Sequence, residues 1–122
     1  MDDIKKINVL TLSKYINIFR QFLLKKDFFE HTMYSFVSFK IKNADCFKIN
    51  GTLFLRYGTE PEVWRIGENF NKFFWIGSLY RKEKKLSKIY KYEFKLVDFY
   101  IRGGSMQDII NIFLGLLKQV GL

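Results

Sequence analysis

Apolar positions along the chain recur with two different periods. Between residues 11 and 26, Leu12, Tyr15, Ile16, Phe19, Phe22 and Leu23 are spaced by three and four, which places them on one face of a helix. Thr11 or Ser13 can cap its start, and Lys25 and Lys26 suit the negative end of the helix. Residues 28–39, rich in Phe, Val and Tyr, read as a strand. Asn50-Gly51 then separates Phe47-Lys48-Ile49 from Thr52-Leu53-Phe54-Leu55. Both residues tolerate positive φ, so the pair predicts a two-residue hairpin turn.

Pro61, the only proline, suits the first turn of a short helix at about 60–70, where its missing N–H costs nothing. Two long strands follow, over 72–81 and 89–101, joined by the lysine-rich stretch 82–88. In the second strand Tyr90, Tyr92, Phe94, Leu96, Asp98 and Tyr100 alternate with Ile89, Lys91, Glu93, Lys95, Val97 and Phe99. Ser105 opens a closing helix, and Ser105-x-x-Asp108 has the form of a capping box. Met106, Ile109, Ile110, Phe113, Leu116, Leu117 and Val120 form its apolar face, and Gly121 is a natural stop. The sum is an α+β domain with an antiparallel sheet and helices covering one face.

Composition bounds this picture. At 122 residues, 48% hydrophobic and 19% aromatic, residues 1–122 suit one packed domain and exclude a large two-domain enzyme in this stretch. The longest apolar runs, such as Phe73-Phe74-Trp75-Ile76, fall far short of the roughly 18 residues of a membrane span. Met1-Asp2-Asp3-Ile4-Lys5-Lys6 starts acidic and lacks the apolar stretch of a secretory signal. A lone Cys46 can form neither an intrachain disulfide nor a multi-cysteine zinc site, and it reads as a packed or idle thiol. His31, the sole histidine, lies in an apolar strand and reads as structural rather than as a ligand. No metal motif is present, and a cytoplasmic protein fits these features. Gly103-Gly104 before a helix is explained as well by a turn as by a phosphate cradle.

Charge adds a functional question. The net charge is +9, from 16 Lys and 5 Arg against 12 acidic residues. Abundant Lys beside Ile, Asn, Phe and Tyr is also the mix of an AT-rich coding sequence. Yet residues 81–95 hold Arg81, Lys82, Lys84, Lys85, Lys88, Lys91 and Lys95 against Glu83 and Glu93, a net +5. Such concentration favours a polyanionic partner, nucleotide phosphate or RNA. Arg81 and Glu83 are two apart, so on an extended chain they share a face, and Phe94 and Asp98 share one on the partner strand. An arginine fork for phosphate, an aromatic for a base and a glutamate for an amino group make a nucleotide site. A surface ion pair between Arg81 and Glu83 over a core aromatic is the competing reading.

The order of these features resembles the catalytic core of class II aminoacyl-tRNA synthetases. Phe73-Phe74-Trp75-Ile76-Gly77-Ser78-Leu79-Tyr80-Arg81-Lys82-Glu83, a loop, then Tyr92-Glu93-Phe94-Lys95-Leu96-Val97-Asp98 is similar to that family's motif 2. Leu53-Phe54-Leu55-Arg56-Tyr57-Gly58-Thr59-Glu60-Pro61-Glu62 looks like the Leu-Arg-Thr-Ser-Pro-Glu segment of the lysyl/aspartyl/asparaginyl branch. Ile18-Phe19-Arg20-Gln21-Phe22-Leu23-Leu24 followed by Phe28-Phe29-Glu30 is similar to the motif 1 helix and strand, and Tyr-Arg-Lys-Glu is similar to the pyrrolysyl enzymes.

The resemblance implies the N-terminal half of that catalytic domain, with ATP as cofactor. Arg81 would bind the ATP α-phosphate and the amino-acid carboxylate, Glu83 the adenine amino group, and Phe94 would stack on adenine. Tyr90 stands at the family's loop residue in the ATP site. Glu60 and Arg56 fall in the substrate-binding segment. Lys84, Lys85 and Lys88 would reach β/γ-phosphates or the tRNA acceptor end. The helix and strand around residues 14–36 would form a homodimer interface, and Tyr34 stands where motif 1 has its proline. No counterpart of motif 3 or of the acidic magnesium ligands occurs in the 122 residues. The resemblance therefore implies either an adenylate-forming subunit completed by a second chain, or a non-catalytic paralogue that binds tRNA or protein.

Overall fold

The computed structural model describes residues 3–87 and 91–122, with side chains from residue 9 onward. Among the described residues eight elements follow in chain order: α1 (Asp3–Lys25), β1 (Phe29–Glu30), β2 (Phe36–Val37), β3 (Phe54–Leu55), α2 (Glu62–Gly67), β4 (Lys72–Tyr80), β5 (Glu93–Ile101) and α3 (Met106–Gln119). A three-stranded sheet has the order β1-β4-β5, and β2 and β3 form a separate pair. β4 and β5 are antiparallel from Lys72↔Ile101 to Tyr80↔Glu93, while β1 joins the other edge of β4 in parallel. The expected α+β class holds.

α1 begins well before residue 11, because residues 3–10 contain no glycine or proline to stop a helix. The three-four spacing marks only the part of α1 that meets the sheet, and Val9 and Leu10 are exposed. The helix ends at Asp27, which adopts φ 65°; its N–H donates to Leu24 O, and Phe28 N–H reaches back to Leu23 O. That pair of bonds satisfies the last carbonyls. The same device closes α3, where Gly121 has φ 83° and Leu122 N–H bonds Leu117 O. Ser105 and Asp108 form the expected reciprocal capping box at its start.

Residues 28–39 are not one strand. Phe29–Glu30 pairs with Phe73–Phe74, His31 N–H donates to Phe74 O, and the chain then leaves the sheet. Phe36–Val37 pairs instead with Phe54–Leu55. The beginning and end of this apolar run thus serve two different sheets. The Asn50-Gly51 turn also differs from expectation. Neither residue has positive φ; Asn50 Oδ1 instead accepts from Thr52 N and Leu53 N at 2.9 and 3.0 Å. A side chain that imitates a backbone acceptor replaces the two-residue turn. Pro61 sits at the N-cap of α2 rather than inside its first turn.

The β4–β5 ladder sorts side chains by parity. Phe74 and Ile76 on β4, with Val97, Phe99 and Ile101 on β5, face α1 and α3 and pack around Leu23, Phe28 and Leu116. Phe74 is fully buried, a gain of about 1.5–3 kcal/mol. Gly115 lets α3 approach α1: a Cβ there would lie 2.5 Å from the Phe22 ring. On the opposite face lie Phe73, Trp75, Leu79, Phe94, Asp98 and Tyr100. Of the apolar face expected for α3, only Leu116 is buried, and Met106, Ile110 and Phe113 are exposed.

Arg56 ties the second sheet to the first and is only 1% exposed. Its Nε donates to Tyr34 O at 2.7 Å, one terminal nitrogen to Gly58 O at 3.3 Å and the other to Glu62 at 2.8 Å. Its backbone N–H donates to Ser35 O, and its carbonyl accepts from Tyr80 N, both at 2.8 Å. We expect Arg56→Met to destabilise the fold by about 3 kcal/mol or more in urea unfolding, because it strands two carbonyls and a carboxylate. Arg56→Lys should recover little, since an ammonium cannot reproduce the planar fork; full recovery would refute this role.

His31 packs against Phe73 and neither ring nitrogen has a hydrogen-bond partner of good geometry. Burial lowers its pKa below 6.5; the Thr32 backbone, Asp98 and Glu62 oppose this and Arg56 reinforces it. The unfolded chain therefore binds the proton first as pH falls, so stability is full above about 6.5 and declines below it. Melting temperature should drop between pH 7.5 and 5.5. In His31→Gln the part of that slope due to this ring should vanish, and an unchanged slope would contradict it.

Candidate functional site

The end of β4 and the loop after it build an open cavity of about 620 Å³. Arg81 continues the ladder by one bond, from its N–H to Tyr92 O at 2.9 Å. Lys82 N–H then turns away to Asp45 O at 2.9 Å, and Glu83 N–H bonds back to Arg81 O. The chain is therefore tightly bent at 81–83, not extended as the two-residue spacing suggested. Arg81 and Glu83 nevertheless line the same cavity, together with Lys82, Lys84, Lys85 and Ser87. They do not form the ion pair that was the competing reading; the side-chain ion pairs of the described residues are Arg20–Glu30 and Arg56–Glu62.

The Arg81 guanidinium lies against two rings, 4.5 Å from the Tyr57 centroid and 5.2 Å from that of Phe94. Its Nε points at Tyr57 O at 3.5 Å, at the limit of a hydrogen bond. Stacking of a cation on ring faces restrains the arginine without consuming its donors. Four cations against the carboxylates of Asp45 and Glu83 give the cavity wall a positive balance. Such a wall attracts a polyanion, and a planar fork held by aromatic rings suits phosphate or carboxylate.

Positions of the other expected residues differ. Phe94 meets Arg81 but does not line the cavity. Its place is set by pairing with Leu79, which is 2% exposed. Glu60 is exposed and outside the lining, and Arg56 is buried with its fork directed to protein acceptors. Lys84 and Lys85 are exposed at the cavity wall. Lys88 and Tyr90 lie outside the described residues. Among the described residues no group of His, Cys, Asp or Glu has the arrangement of a metal site, and no helix is long and apolar enough to cross a membrane.

Sequence reasoning missed Tyr57, Asn43 and Asp45 in the cavity wall. Tyr57 carries a faint signal, being a ring next to an arginine just before the Gly58-Thr59 turn. Asn43 has φ 63°, a left-handed bend that brings its segment to the loop, and no local pattern announces it. A second polar cluster was also missed. Thr59 Oγ1 bonds Asp98 Oδ2 at 3.2 Å and the Tyr100 hydroxyl at 2.9 Å, and Tyr100 donates a short hydrogen bond to Asp98. Burial, and then the bond to Asp98, push the Tyr100 pKa well above its ordinary value, so the phenol stays a donor. The cluster joins the loop before α2 to β5.

No protein-family model matches the sequence, and no curated protein matches it. Among solved structures, the fold is similar to that of PylSc, a pyrrolysyl tRNA synthetase from Desulfitobacterium hafniense. The TM-score is 0.74 and the identity 19%, over 91% of this chain. The match covers 45% of that protein's length, so this chain spans less than half of it. The α+β architecture thus matches part of the fold of that synthetase.

Proposed function

We propose that the chain is a class II synthetase-like component that binds ATP, or the aminoacyl-adenylate made from it, at the Arg81 cavity, and that a second chain completes the catalytic unit. The observation that carries this reading is Arg81, braced between Tyr57 and Phe94 at a cationic cavity that also contains Glu83. The guanidinium would hold oxygens of the α-phosphate and of the amino-acid carboxylate. When a carboxylate oxygen attacks the α-phosphorus, an acyl–phosphate bond forms and the bond to pyrophosphate breaks. A preorganised cation beside that phosphorus lowers the barrier by meeting charge as it builds.

The other roles are those the resemblance to class II synthetases implies. Glu83 would accept from the adenine amino group, and Phe94 would stack on the base. Lys84 and Lys85 would neutralise β- and γ-phosphates. Glu60 would face a substrate amino group once substrate and partner bring that loop to the site. A second reading, an RNA-binding module without chemistry, draws on the net +5 of residues 81–95.

ATP titration by calorimetry tests the first reading. Arg81→Ala should weaken binding at least tenfold, about 1.4 kcal/mol, with far-UV circular dichroism unchanged. Phe94→Ala should weaken it less. Failure of the wild-type chain to bind ATP, combined with tRNA binding that falls steeply with salt, would instead establish the second reading.

A further inference from the structure

Few contacts restrain Arg81. Among the described residues no carboxylate pairs with it. Its guanidinium is held by the rings of Tyr57 and Phe94 and by a weak contact to Tyr57 O at 3.5 Å. Phe94 is fixed by the ladder, opposite Leu79. Tyr57 belongs to no helix or strand, so its place depends on the residues either side of it. Arg56 fixes the upstream side through its backbone bonds to Ser35 and Tyr80, both at 2.8 Å. Gly58 offers only its carbonyl, to the Arg56 guanidinium at 3.3 Å.

The downstream side is fixed at the buried Thr59. Its Oγ1 meets Asp98 Oδ2 at 3.2 Å and the Tyr100 hydroxyl at 2.9 Å. Tyr100 gives its own proton to Asp98, so the single Thr59 proton is shared between the carboxylate and the phenol oxygen. The phenol ring is itself held, stacked on the buried Phe73 ring at 5.0 Å and 17°. Asp98 and Tyr100 have the same parity on β5 as Phe94. One strand therefore sets both rings that touch Arg81. It carries Phe94 directly, and it holds Tyr57 through Thr59.

We propose that Thr59, locked to Asp98 and Tyr100, is a positioning residue for Arg81, a role that rests on the proposed nucleotide site for its consequence though not for its geometry. The lock holds Tyr57 where its ring presents the guanidinium to an oxyanion. An arginine already restrained by two rings loses less side-chain freedom when it binds phosphate. With Thr59 released, Tyr57 can turn away, and the ligand itself must then order the guanidinium. Thr59 also serves the start of α2, where its carbonyl accepts Val63 N–H at 3.3 Å. That bond belongs to the backbone and survives any side chain at 59. Removal of the hydroxyl alone thus tests the lock and not the helix.

Thr59→Val keeps the side-chain shape and removes the hydroxyl, whereas Thr59→Ser keeps the hydroxyl. The Arg81 Nε–Hε signal in a nitrogen–proton NMR spectrum, identified by its loss in Arg81→Ala, reports the rings directly, because protons over ring faces are shifted upfield. Thr59→Val should move that signal toward the position of an unrestrained arginine, and Thr59→Ser should leave it in place. ATP affinity by calorimetry should fall about fivefold in Thr59→Val, the scale of freeing one long side chain. The same substitution made in Arg81→Ala should cost nothing further, because the two residues act as a unit. A merely structural anchor would lower the melting temperature and leave the Arg81 signal unmoved, which overturns the proposal. So does an equal loss of ATP affinity with and without Arg81. If the wild-type chain does not bind ATP, the nucleotide reading falls while the Arg81 signal still decides the lock. If Thr59→Val does not fold, Tyr100→Phe decides, and it must move the signal in the same direction.

Discussion

A single buried guanidinium decides how the two sheets sit. Arg56 satisfies the carbonyls of Tyr34 and Gly58 and the carboxylate of Glu62, so it gathers the β1–β2 connection, the loop after β3 and α2 around one side chain. Its own carbonyl receives Tyr80 N–H, one residue before Arg81. Desolvating an arginine is costly, and the cost is met only because all the groups it touches are themselves in need of donors. The position of Arg81 depends on this junction. Tyr57, whose ring lies against the Arg81 guanidinium, is the residue next to Arg56.

The ladder between β4 and β5 then divides labour between its faces. One parity carries Phe74, Ile76, Val97 and Phe99 to the helices and makes the core. The other carries Trp75, Leu79, Phe94, Asp98 and Tyr100 to the side of the loops. A one-residue slip would exchange the two sets, so packing of the core also holds Phe94 beside Arg81. The polar trio of Thr59, Asp98 and Tyr100 anchors the loop before α2 to that second face.

Much of this was readable from residue order, and the reasons for the exceptions are physical. The capping box of α3 and the two long strands rest on local rules, and local rules were enough; Arg81 and Glu83 share a cavity, but through a bend at 81–83 rather than through the extended spacing. The division of residues 28–39 between two sheets was not readable, because both halves are equally apolar and the decision is made by distant partners, β4 and β3. Arg56 looked like a substrate contact in sequence, whereas its donors are directed to protein acceptors whose convergence only the tertiary structure reveals. The apolar stripe of α3 had the right period but only part of it meets the core. A period reports that a surface is apolar, not what covers it.

Gly77 has a consequence of a different kind. A side chain there would meet the Trp75 indole at 2.4 Å, so its absence lets that ring lie flat along β4, 4% exposed. The other tryptophan, Trp64 on α2, is 66% exposed and borders an apolar groove with Phe99 and Ile109. The chain therefore carries two fluorophores in opposite environments, one emitting from the packed interior and one from water. Intrinsic emission can separate loss of the sheet, seen by Trp75, from occupation of the groove, seen by Trp64, without any added label.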